Sequence, residues 1–266
     1  MATSPRLGED ADGATFDWAD LDRKEEGVLG FDRPTVFPVG GVGVVVKQGR
    51  LSDSNDPAGT GSEIWPATVA LVRHLEAARE DPEGHPDSPL GRNVLELGAG
   101  TGLAGLGAVA LGAKRVVLSD LREMLPSLSR SIRLNKPVDA KTQEPVLEFD
   151  GRVEVEELDW RKVVQGQGLP KGPFDLILGS DIVLWPELFQ PLLGTLLRLA
   201  PDHWISVLLS VQHRGSLVKE FLVMLEEHFE VEKVTCEFAL VFQGAGIAVE
   251  IYRLKRHQQW SDWSSC

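Results

Sequence analysis

The chain of 266 residues carries 27 Lys and Arg against 40 Asp and Glu, a formal net charge of −13. Its 42% hydrophobic and 25% charged residues are typical of a globular protein with a sizeable core. This acidity argues against direct binding to nucleic acid and leaves a basic partner open. No apolar run reaches the roughly 18 residues of a membrane span, and from the polar first residues we expect no secretory signal.

Two cysteines, one of them the last residue, do not make a disulfide framework. We therefore expect a soluble protein of a reducing compartment, in the cytoplasm or alternatively the nucleus. The six histidines are scattered, and we expect each at the surface or an interface. Without a CxxC pair or two histidines at helical spacing, no metal site is expected.

The composition divides the chain into three parts. Residues 1–26 hold eight acidic and three basic residues without an apolar period, which predicts a disordered acidic arm. This arm is either a solvated tail or a site that recruits a basic partner. Residues 27–256 form the expected domain, and residues 257–266 form a polar tail.

The predicted elements follow in chain order. Residues 35–46 mix β-branched residues with glycines and predict a hairpin. Pro66 starts a helix, because proline is favoured in the first helical turn. After a loop, short apolar strands alternate with helical segments. The predicted strands are 93–97, 115–119, 153–158, 174–178 and 204–211. The predicted helices are 103–111, 123–135, 188–199 and 217–229.

The end of the chain breaks this alternation. Residues 231–242 and 247–254 are both strand-like with only four residues between them, which predicts an antiparallel hairpin. Strands joined by helical crossovers form mainly parallel sheets with helices on both faces. The sequence therefore predicts a Rossmann-like α/β domain that ends in an antiparallel hairpin.

The strongest chemical signal is the segment ELGAGTG at residues 96–102, between a strand and a helix. Glycines let the backbone turn sharply and approach a ligand that a Cβ atom would exclude. The helix that follows directs free N–H groups toward that ligand. Asp120 ends the next strand, where a carboxylate can accept both hydroxyls of a ribose. These residues predict a cofactor that contains adenosine.

Two cofactors fit this pattern. Residues 100–105 read GTGLAG, which matches the G-x-G-x-x-G fingerprint of dinucleotide binding. S-adenosylmethionine instead presents an ammonium and a carboxylate and has no phosphate. Glu96 suits an ammonium and would repel a pyrophosphate, and the terminal hairpin also favours a methyl donor over NAD.

Further motifs in order along the chain are IWPA at 64–67, IRLN at 132–135, LDW at 158–160 and GSD at 179–181. With ELGAGTG, they resemble the seven-strand S-adenosylmethionine-dependent methyltransferases. More narrowly, they resemble methyltransferase family 16, the protein lysine methyltransferases, over about residues 35–255. The resemblance implies a seven-strand Rossmann-like methyltransferase fold.

The resemblance also implies roles for single residues. Residues 98–100 would wrap the methionine part of the cofactor, and Asp120 would hold its ribose. Trp160 would pack on the adenine, Trp65 would close the site, and Ser180 would lie beside the reactive centre. The complete expected cofactor set is Trp65, Glu96, Gly98, Ala99, Gly100, Thr101, Gly102, Asp120, Asp159, Trp160 and Ser180. Core packing remains the alternative for both tryptophans.

Asp181 is the expected catalytic residue, because the family has an Asp where the substrate nitrogen enters. The family's Tyr three residues later is replaced here by Leu184, and Trp185 follows as a candidate substrate contact. Helix capping by Asp181 and core packing by Trp185 are the structural alternatives. A lysine must arrive neutral to attack the methyl group, and Asp181 would orient the amine through a hydrogen bond.

The resemblance implies a protein substrate, such as a basic, chaperone or translation-type protein, and a monomeric enzyme that acts on lysine. A target histidine stays open. A small-molecule methyltransferase and a non-catalytic adaptor that binds the cofactor or a partner are the other two hypotheses.

Overall fold

The computed structural model describes residues 34–48, 59–81, 83–135, 151–213, 215–234, 239–242 and 245–257. The expected acidic arm at residues 1–26 lies outside the described residues, as does the tail after His257. Within these ranges no helix is both long and apolar enough to cross a membrane.

The main sheet is built from strands that run mostly parallel. Its members are β3 (Asn93–Leu97), β4 (Arg115–Asp120), β5 (Val153–Glu157), β6 (Leu176–Ser180), β7 (Ser206–Gln212), β8 (Phe229–Val234) and β10 (Ala245–Arg256). Their order across the sheet is β5-β4-β3-β6-β7-β10-β8, with β9 (Ala239–Phe242) pairing with the first part of β10. The first five strands of this order are parallel, and β10 is antiparallel to both of its neighbours.

Helices cover both faces of this sheet, as expected for parallel strands joined by crossovers. They are α1 (Pro66–Glu80), α2 (Leu103–Ala110), α3 (Leu125–Leu134), α4 (Trp160–Val163), α5 (Phe189–Leu199) and α6 (Leu217–Glu226). One buried cluster joins α1 and α2 to one face, and a second joins α5 and α6 to the other. The predicted Rossmann-like fold is confirmed.

The predicted N-terminal hairpin is also confirmed, as strands β1 (Pro34–Val39) and β2 (Val42–Lys47). Asn135, the last residue of the IRLN motif, fastens it to the end of α3. The Asn135 side chain accepts a hydrogen bond from the Val45 N–H and donates one to the Val45 carbonyl. The Asn135 amide thus pairs with the N–H and the carbonyl of Val45 as a neighbouring strand would. This motif residue therefore has a structural role.

The predicted strands and helices of the parallel part occur in the predicted order, with ends shifted by up to three residues. The terminal antiparallel pairing is confirmed, but one predicted strand is divided. Residues 231–242 hold the end of β8 and the whole of β9. Strand β10 then lies between β7 and β8. The last strand among the described residues is therefore an interior strand of the sheet.

A buried ion network connects this last strand to α1. Arg253 on β10 donates two hydrogen bonds to the Asp87 carboxylate, at 2.7 and 2.6 Å. The Nε2 atom of His74 on α1 lies 2.6 Å from the same carboxylate. His74 is buried, so the expectation that every histidine lies at a surface or interface is wrong for this residue. The paired charge of Asp87 explains why a polar histidine is buried here.

This network includes a group of possible metal ligands, because ligand atoms of His74, His85 and Asp87 lie within 4.8 Å of one another. The Arg253 guanidinium already supplies a cation to both oxygens of Asp87. The Nδ1 atom of His85 also accepts the Asp87 N–H, at 3.1 Å. These contacts occupy most of the acceptor positions of Asp87 and the Nδ1 atom of His85, and they give the cluster a role in holding β10 to α1.

Candidate cofactor and methyl-transfer site

The site lies between β3 and β6, where the order of the strands across the sheet reverses. After β3 the chain adds β4 and β5 on one side of it, and then adds β6 and β7 on the other side. Parallel α/β sheets bind ligands beyond the carboxyl ends of strands at such a switch point. Because Leu97 pairs with Gly179, the turn after β3 and the turn after β6 lie side by side. The ELGAGTG and GSD motifs meet here.

The turn after β3 has the backbone that its glycines predict. Gly98, Gly100 and Gly102 have φ values of +57°, +53° and +81°. A Cβ atom on Gly98 would lie 2.8 Å from Ile182 Cγ2, and one on Gly100 would lie 2.7 Å from the Gly61 carbonyl oxygen. Gly61, in the segment before α1, therefore packs directly against the glycine turn at Gly100.

The side chains of Ala99 and Thr101 are buried in this turn. The Ala99 N–H donates to the Ser119 carbonyl at 3.0 Å, and the Gly102 N–H donates to the Ala99 carbonyl at 2.7 Å. A Cβ atom on Gly102 would contact Leu118 and Leu128, which belong to the core. Any contact of Ala99, Thr101 or Gly102 with a cofactor therefore depends on the backbone.

Glu96 lies at the end of β3, beside the start of α2. It is 1% exposed, and its Oε2 atom accepts the N–H of Gly105 in α2 at 2.8 Å. Its Oε1 atom is buried with no hydrogen-bond partner among the described residues. The expected contact of Glu96 with the ammonium of the cofactor stays a prediction. In addition, Glu96 joins the end of β3 to the first turns of α2.

Burial raises the pKa of Glu96 from 4.5 to about 8, an effect that the Gly105 N–H opposes. The carboxyl is therefore mostly neutral at pH 7. Charge repulsion by Glu96 is consequently a weaker argument against a pyrophosphate than the sequence suggests.

Asp120 lies at the end of β4, beside the glycine turn. Its carboxylate accepts the Gly100 N–H at 2.8 Å and the Leu121 N–H at 2.7 Å. Burial raises the pKa of Asp120, and the two N–H donors oppose that rise. A carboxylate has about four acceptor positions, so Asp120 can accept further hydroxyl hydrogens.

Trp160 and Asp159 follow β5 on the same edge of the sheet. A Cβ atom on Gly98 would lie 3.7 Å from Trp160 Cζ2, so the indole borders the glycine turn. Trp160 is half-buried and packs against the core cluster of α5 and α6. The Asp159 side chain accepts the Arg161 N–H at 3.0 Å, which caps α4. Asp159 therefore has a structural role that the motif alone does not reveal.

Trp65 immediately precedes α1, which places it at the same edge from the opposite side. Its carbonyl accepts the N–H groups of Thr68 and Val69 and so closes the first turn of α1. The Thr68 and Ser180 hydroxyls lie 2.9 Å apart in a hydrogen bond. The predicted residues Trp65 and Ser180 are thus brought to adjoining elements.

Asp181 has a left-handed backbone, which is uncommon for a residue other than glycine. It is the one non-glycine residue with positive φ in the described part of the chain, at φ +55°. Its N–H donates to the Ser210 carbonyl at 2.8 Å, and its Oδ1 atom accepts the Gln212 N–H at 3.3 Å. Asp181 is buried, and both of these bonds lead to the end of β7. Neither bond is made to the first turn of a helix, so these two contacts do not support the alternative that Asp181 is a helix cap.

Trp185 lies farther out, just before the turn Pro186–Leu188 that precedes α5. It is 46% exposed, so the alternative of full core packing does not hold. Leu184, where the family has Tyr, is half-buried. The exposed indole gives this rim an apolar surface close to Asp181.

Three residues at this edge have no signal in the motifs. Gly61 contacts the glycine turn, Thr68 bonds to Ser180, and Ser210 contacts both Asp181 and α1. A small or hydroxyl residue near a strand end is too common in sequences to be noticed. Only the folded arrangement reveals these contacts.

The described residues fit S-adenosylmethionine. Asp120 retains acceptor positions for a ribose, and the half-buried indole of Trp160 offers a flat face to an adenine. The glycine turn presents backbone beside the start of α2, where the amino-acid end of the cofactor can bind.

Comparisons with known proteins agree with this site. A sequence model of the lysine methyltransferase family matches residues 49–228. The chain is 36% identical over 188 residues to protein N-lysine methyltransferase METTL21A of Danio rerio, covering 70% of this chain and 76% of the relative. It is 30% identical over 202 residues to EEF1A lysine methyltransferase 3 of Mus musculus, covering 76% and 74% respectively.

A solved structure with the same fold is the protein PH0793 of Pyrococcus horikoshii, described as a transferase. It has a TM-score of 0.51 and 16% identity, and the match covers 85% of this chain and 73% of that one. The family match spans more than half of the chain and includes the glycine turn, Asp120, Trp160 and Asp181. The chain therefore belongs to the lysine methyltransferase family and is an S-adenosylmethionine-dependent protein-lysine methyltransferase.

Proposed function

We propose that Asp181 orients the amine of a protein lysine toward S-adenosylmethionine bound over the glycine turn. The observation that carries this proposal is the left-handed backbone of Asp181 beside that turn. A non-glycine residue with this φ costs about 1–2 kcal/mol. Such strain persists at functional sites, where the side chain itself is required.

The surroundings hold Asp181 in this conformation. The Ser210 carbonyl takes its N–H, and the Gln212 N–H approaches its Oδ1 atom. Both partners belong to β7, a buried strand between β6 and β10. Asp181 therefore points its carboxylate from a rigid edge of the sheet, and a rigid edge favours accurate placement of an amine.

S-adenosylmethionine supplies the methyl group, which leaves its sulfonium by in-line displacement. The acceptor lysine must be neutral, since an ammonium has no lone pair. A desolvated entrance lowers the pKa of a lysine, and a hydrogen bond to Asp181 aims its nitrogen. In this role Asp181 positions the amine and does not need to remove its proton.

The cofactor roles are divided among both sides of the edge. We assign the methionine part to the backbone of residues 98–100 and the ribose to Asp120. Trp160 borders Gly98 and is assigned to the adenine. Trp65 and Ser180 are assigned to the side where the first turn of α1 meets β6. Glu96 supports the start of α2 from beneath.

The rim around Trp185 is assigned to the protein substrate. An exposed indole can pack on the aliphatic stem of a lysine or face a neighbouring cation. The net charge of −13 favours a basic protein as substrate. A relative named as an EEF1A methyltransferase supports a translation factor, and a chaperone is the second class to test. We further propose a monomer that acts in the cytoplasm.

The test is methyl transfer with labelled S-adenosylmethionine, purified protein and a cell extract, followed by mapping of labelled residues. Purified elongation factor 1A and a purified chaperone serve as separate substrates. Label on lysine that disappears with Asp181→Asn supports the proposal. Label on histidine, or only in a low-mass fraction, would replace the proposed acceptor. Binding of S-adenosylhomocysteine without any transfer would favour a non-catalytic adaptor.

A further inference from the structure

Ser210 connects the two sides of the site, although no motif contains it. It lies near the carboxyl end of β7 and is 0% exposed. Its carbonyl accepts the Asp181 N–H at 2.8 Å. Its hydroxyl donates to the Ala67 carbonyl of α1 at 2.7 Å. One buried residue therefore contacts both the Asp181 turn and the first turn of α1.

The second contact fastens the first turn of α1 to β7. Ala67 is the second residue of α1 and is separated from Trp65 only by Pro66. The proline ring fixes φ near −65°, so this short link transmits the position of Ala67 to Trp65 with little freedom. The Ser210 hydroxyl thus anchors the chain two residues away from Trp65.

We propose that Ser210 is a positioning residue that sets Trp65 relative to Asp181. This inference rests on the proposed function, because it uses the roles assigned there to Trp65 and Asp181. The Thr68–Ser180 hydrogen bond fastens the next part of the same turn to β6. Ser180 is joined to Asp181 as its preceding residue, whereas Ser210 contacts both the Asp181 turn and α1 from a separate strand. The Ser210 hydroxyl therefore couples the position of Trp65, which closes the cofactor site, to the position of Asp181, which orients the lysine amine.

Ser206 provides a matched control. It lies on β7 four residues before Ser210, so the two side chains lie on the same face of the strand. Both serines are buried, but Ser206 is at the amino end of β7, about 13 Å from the site edge. Ser206→Ala and Ser210→Ala remove the same group from the same strand at opposite ends.

The first readout uses the protein without cofactor. Hydrogen exchange is measured for the Thr68 and Val69 amides, which bond to the Trp65 carbonyl. We expect faster exchange of these amides in Ser210→Ala and no change in Ser206→Ala. Equal exchange in both variants would overturn the inference, because α1 would then not depend on the Ser210 hydroxyl.

The second readout is the affinity for S-adenosylhomocysteine, measured by calorimetry. Loss of one hydrogen bond predicts a roughly threefold to tenfold weaker affinity in Ser210→Ala. In a Trp65→Ala background the same substitution is expected to change the affinity little, because its effect passes through Trp65. Additive effects of the two substitutions would contradict the proposal.

Steady-state kinetics separate positioning from general damage. Ser210→Ala is expected to raise KM for S-adenosylmethionine and to lower kcat several-fold, with KM for the protein substrate unchanged. A rise confined to KM for the protein substrate would overturn the inference. If the wild-type protein binds S-adenosylhomocysteine but methylates no lysine, the proposed acceptor fails. The exchange and affinity readouts then still decide the role of Ser210.

Discussion

The two turns at the switch point reach the same left-handed backbone with different residues. The turn after β3 uses Gly98, Gly100 and Gly102, and the turn after β6 uses Asp181. In the first turn, a Cβ atom at Gly98 or Gly100 would come within 3 Å of a neighbouring atom, so glycine is required by space. In the second turn, Asp181 has a carboxylate side chain although its left-handed backbone is less favourable for aspartate than for glycine. The difference indicates that the first turn supplies backbone and the second supplies a side chain.

The largest effect is expected from Asp181→Gly, which makes the second turn resemble the first. Glycine relieves a strain of about 1–2 kcal/mol, but it adds about 1 kcal/mol of backbone entropy and loses the bond to the Gln212 N–H, worth about 1 kcal/mol, so the free energy of unfolding is expected to fall by no more than about 1 kcal/mol. Methyl transfer is expected to fall by roughly 100-fold, since the amine loses its positioning group. Chemical denaturation and initial rates measure the two quantities.

Asp181→Asn is the matched control for that substitution. It keeps an oxygen for the Gln212 N–H but removes the charge. We expect a loss of rate with a normal affinity for S-adenosylhomocysteine. Full activity in Asp181→Gly would show that the left-handed turn, and not its carboxylate, is what the site needs.

The next effect is expected from Gly100→Ala, which places a side chain in the first turn. Its φ of +53° is unfavourable for alanine, and the new Cβ atom would lie 2.7 Å from the Gly61 carbonyl. Strain and overpacking together predict a loss of about 3 kcal/mol in unfolding free energy. The affinity for S-adenosylhomocysteine is expected to fall more than about tenfold, because the backbone must shift.

Gly84→Ala separates strain from contact. Gly84 also has positive φ, at +85°, but nothing lies within 4 Å of its Cβ position. This control is expected to lose only about 1 kcal/mol and no cofactor affinity. Equal losses in the two variants would mean that conformation alone explains the glycines.

The substitution Glu96→Gln tests how Glu96, next to the first turn, makes the free energy of unfolding depend on pH. The pKa of Glu96 is raised from 4.5 to about 8 in the folded protein, so the folded state binds the extra proton between these values. Its contribution to stability is complete below about pH 4.5 and is lost as pH rises toward 8. Gln is neutral throughout, so this fall is expected to disappear in the variant.

The measurement is the free energy of unfolding of both proteins from pH 5 to 8. Each unit of pKa difference corresponds to about 1.4 kcal/mol, so the two curves are expected to diverge by a few kcal/mol. Parallel curves would show that Glu96 is not protonated in the folded protein.

The smallest effect is expected from Thr68→Val, which loosens α1 from the second turn. Loss of the bond to Ser180 predicts about 1 kcal/mol of stability and a severalfold weaker affinity for S-adenosylhomocysteine. Thr195→Val is the control, because Thr195 donates to the Pro191 carbonyl within α5 at 2.8 Å. A similar loss of stability without loss of affinity is expected there. A loss of affinity in both variants would indicate a general effect of stability.

The sequence predicts the first turn better than the second. Strand, glycine turn and helix are local signals, and glycines at Gly98 and Gly100 have few structural explanations. By contrast, the left-handed φ of Asp181 depends on hydrogen bonds to β7, which is distant in sequence. Nothing in residues 179–181 alone reveals it.

Side-chain direction limits the prediction in the same way. The sequence predicts a contact of Glu96 with the cofactor but does not reveal that its Oε2 atom accepts the Gly105 N–H of α2. His74 is buried because it pairs with Asp87, which is itself paired with Arg253 from far along the chain. Such partners appear only after the sheet is assembled.

The interior position of β10 has a consequence for synthesis of the protein. During translation β7 is complete long before Ala245–Arg256 leave the ribosome. The edge of β7 that pairs with β10 therefore stays unpaired until β10 has been synthesised. An unpaired edge beside apolar surface invites pairing with other chains. The nascent protein therefore passes through a stage in which the β7 edge is open to such pairing. A premature stop before Arg253 would leave that stage permanent and would also leave Asp87 without its buried cation.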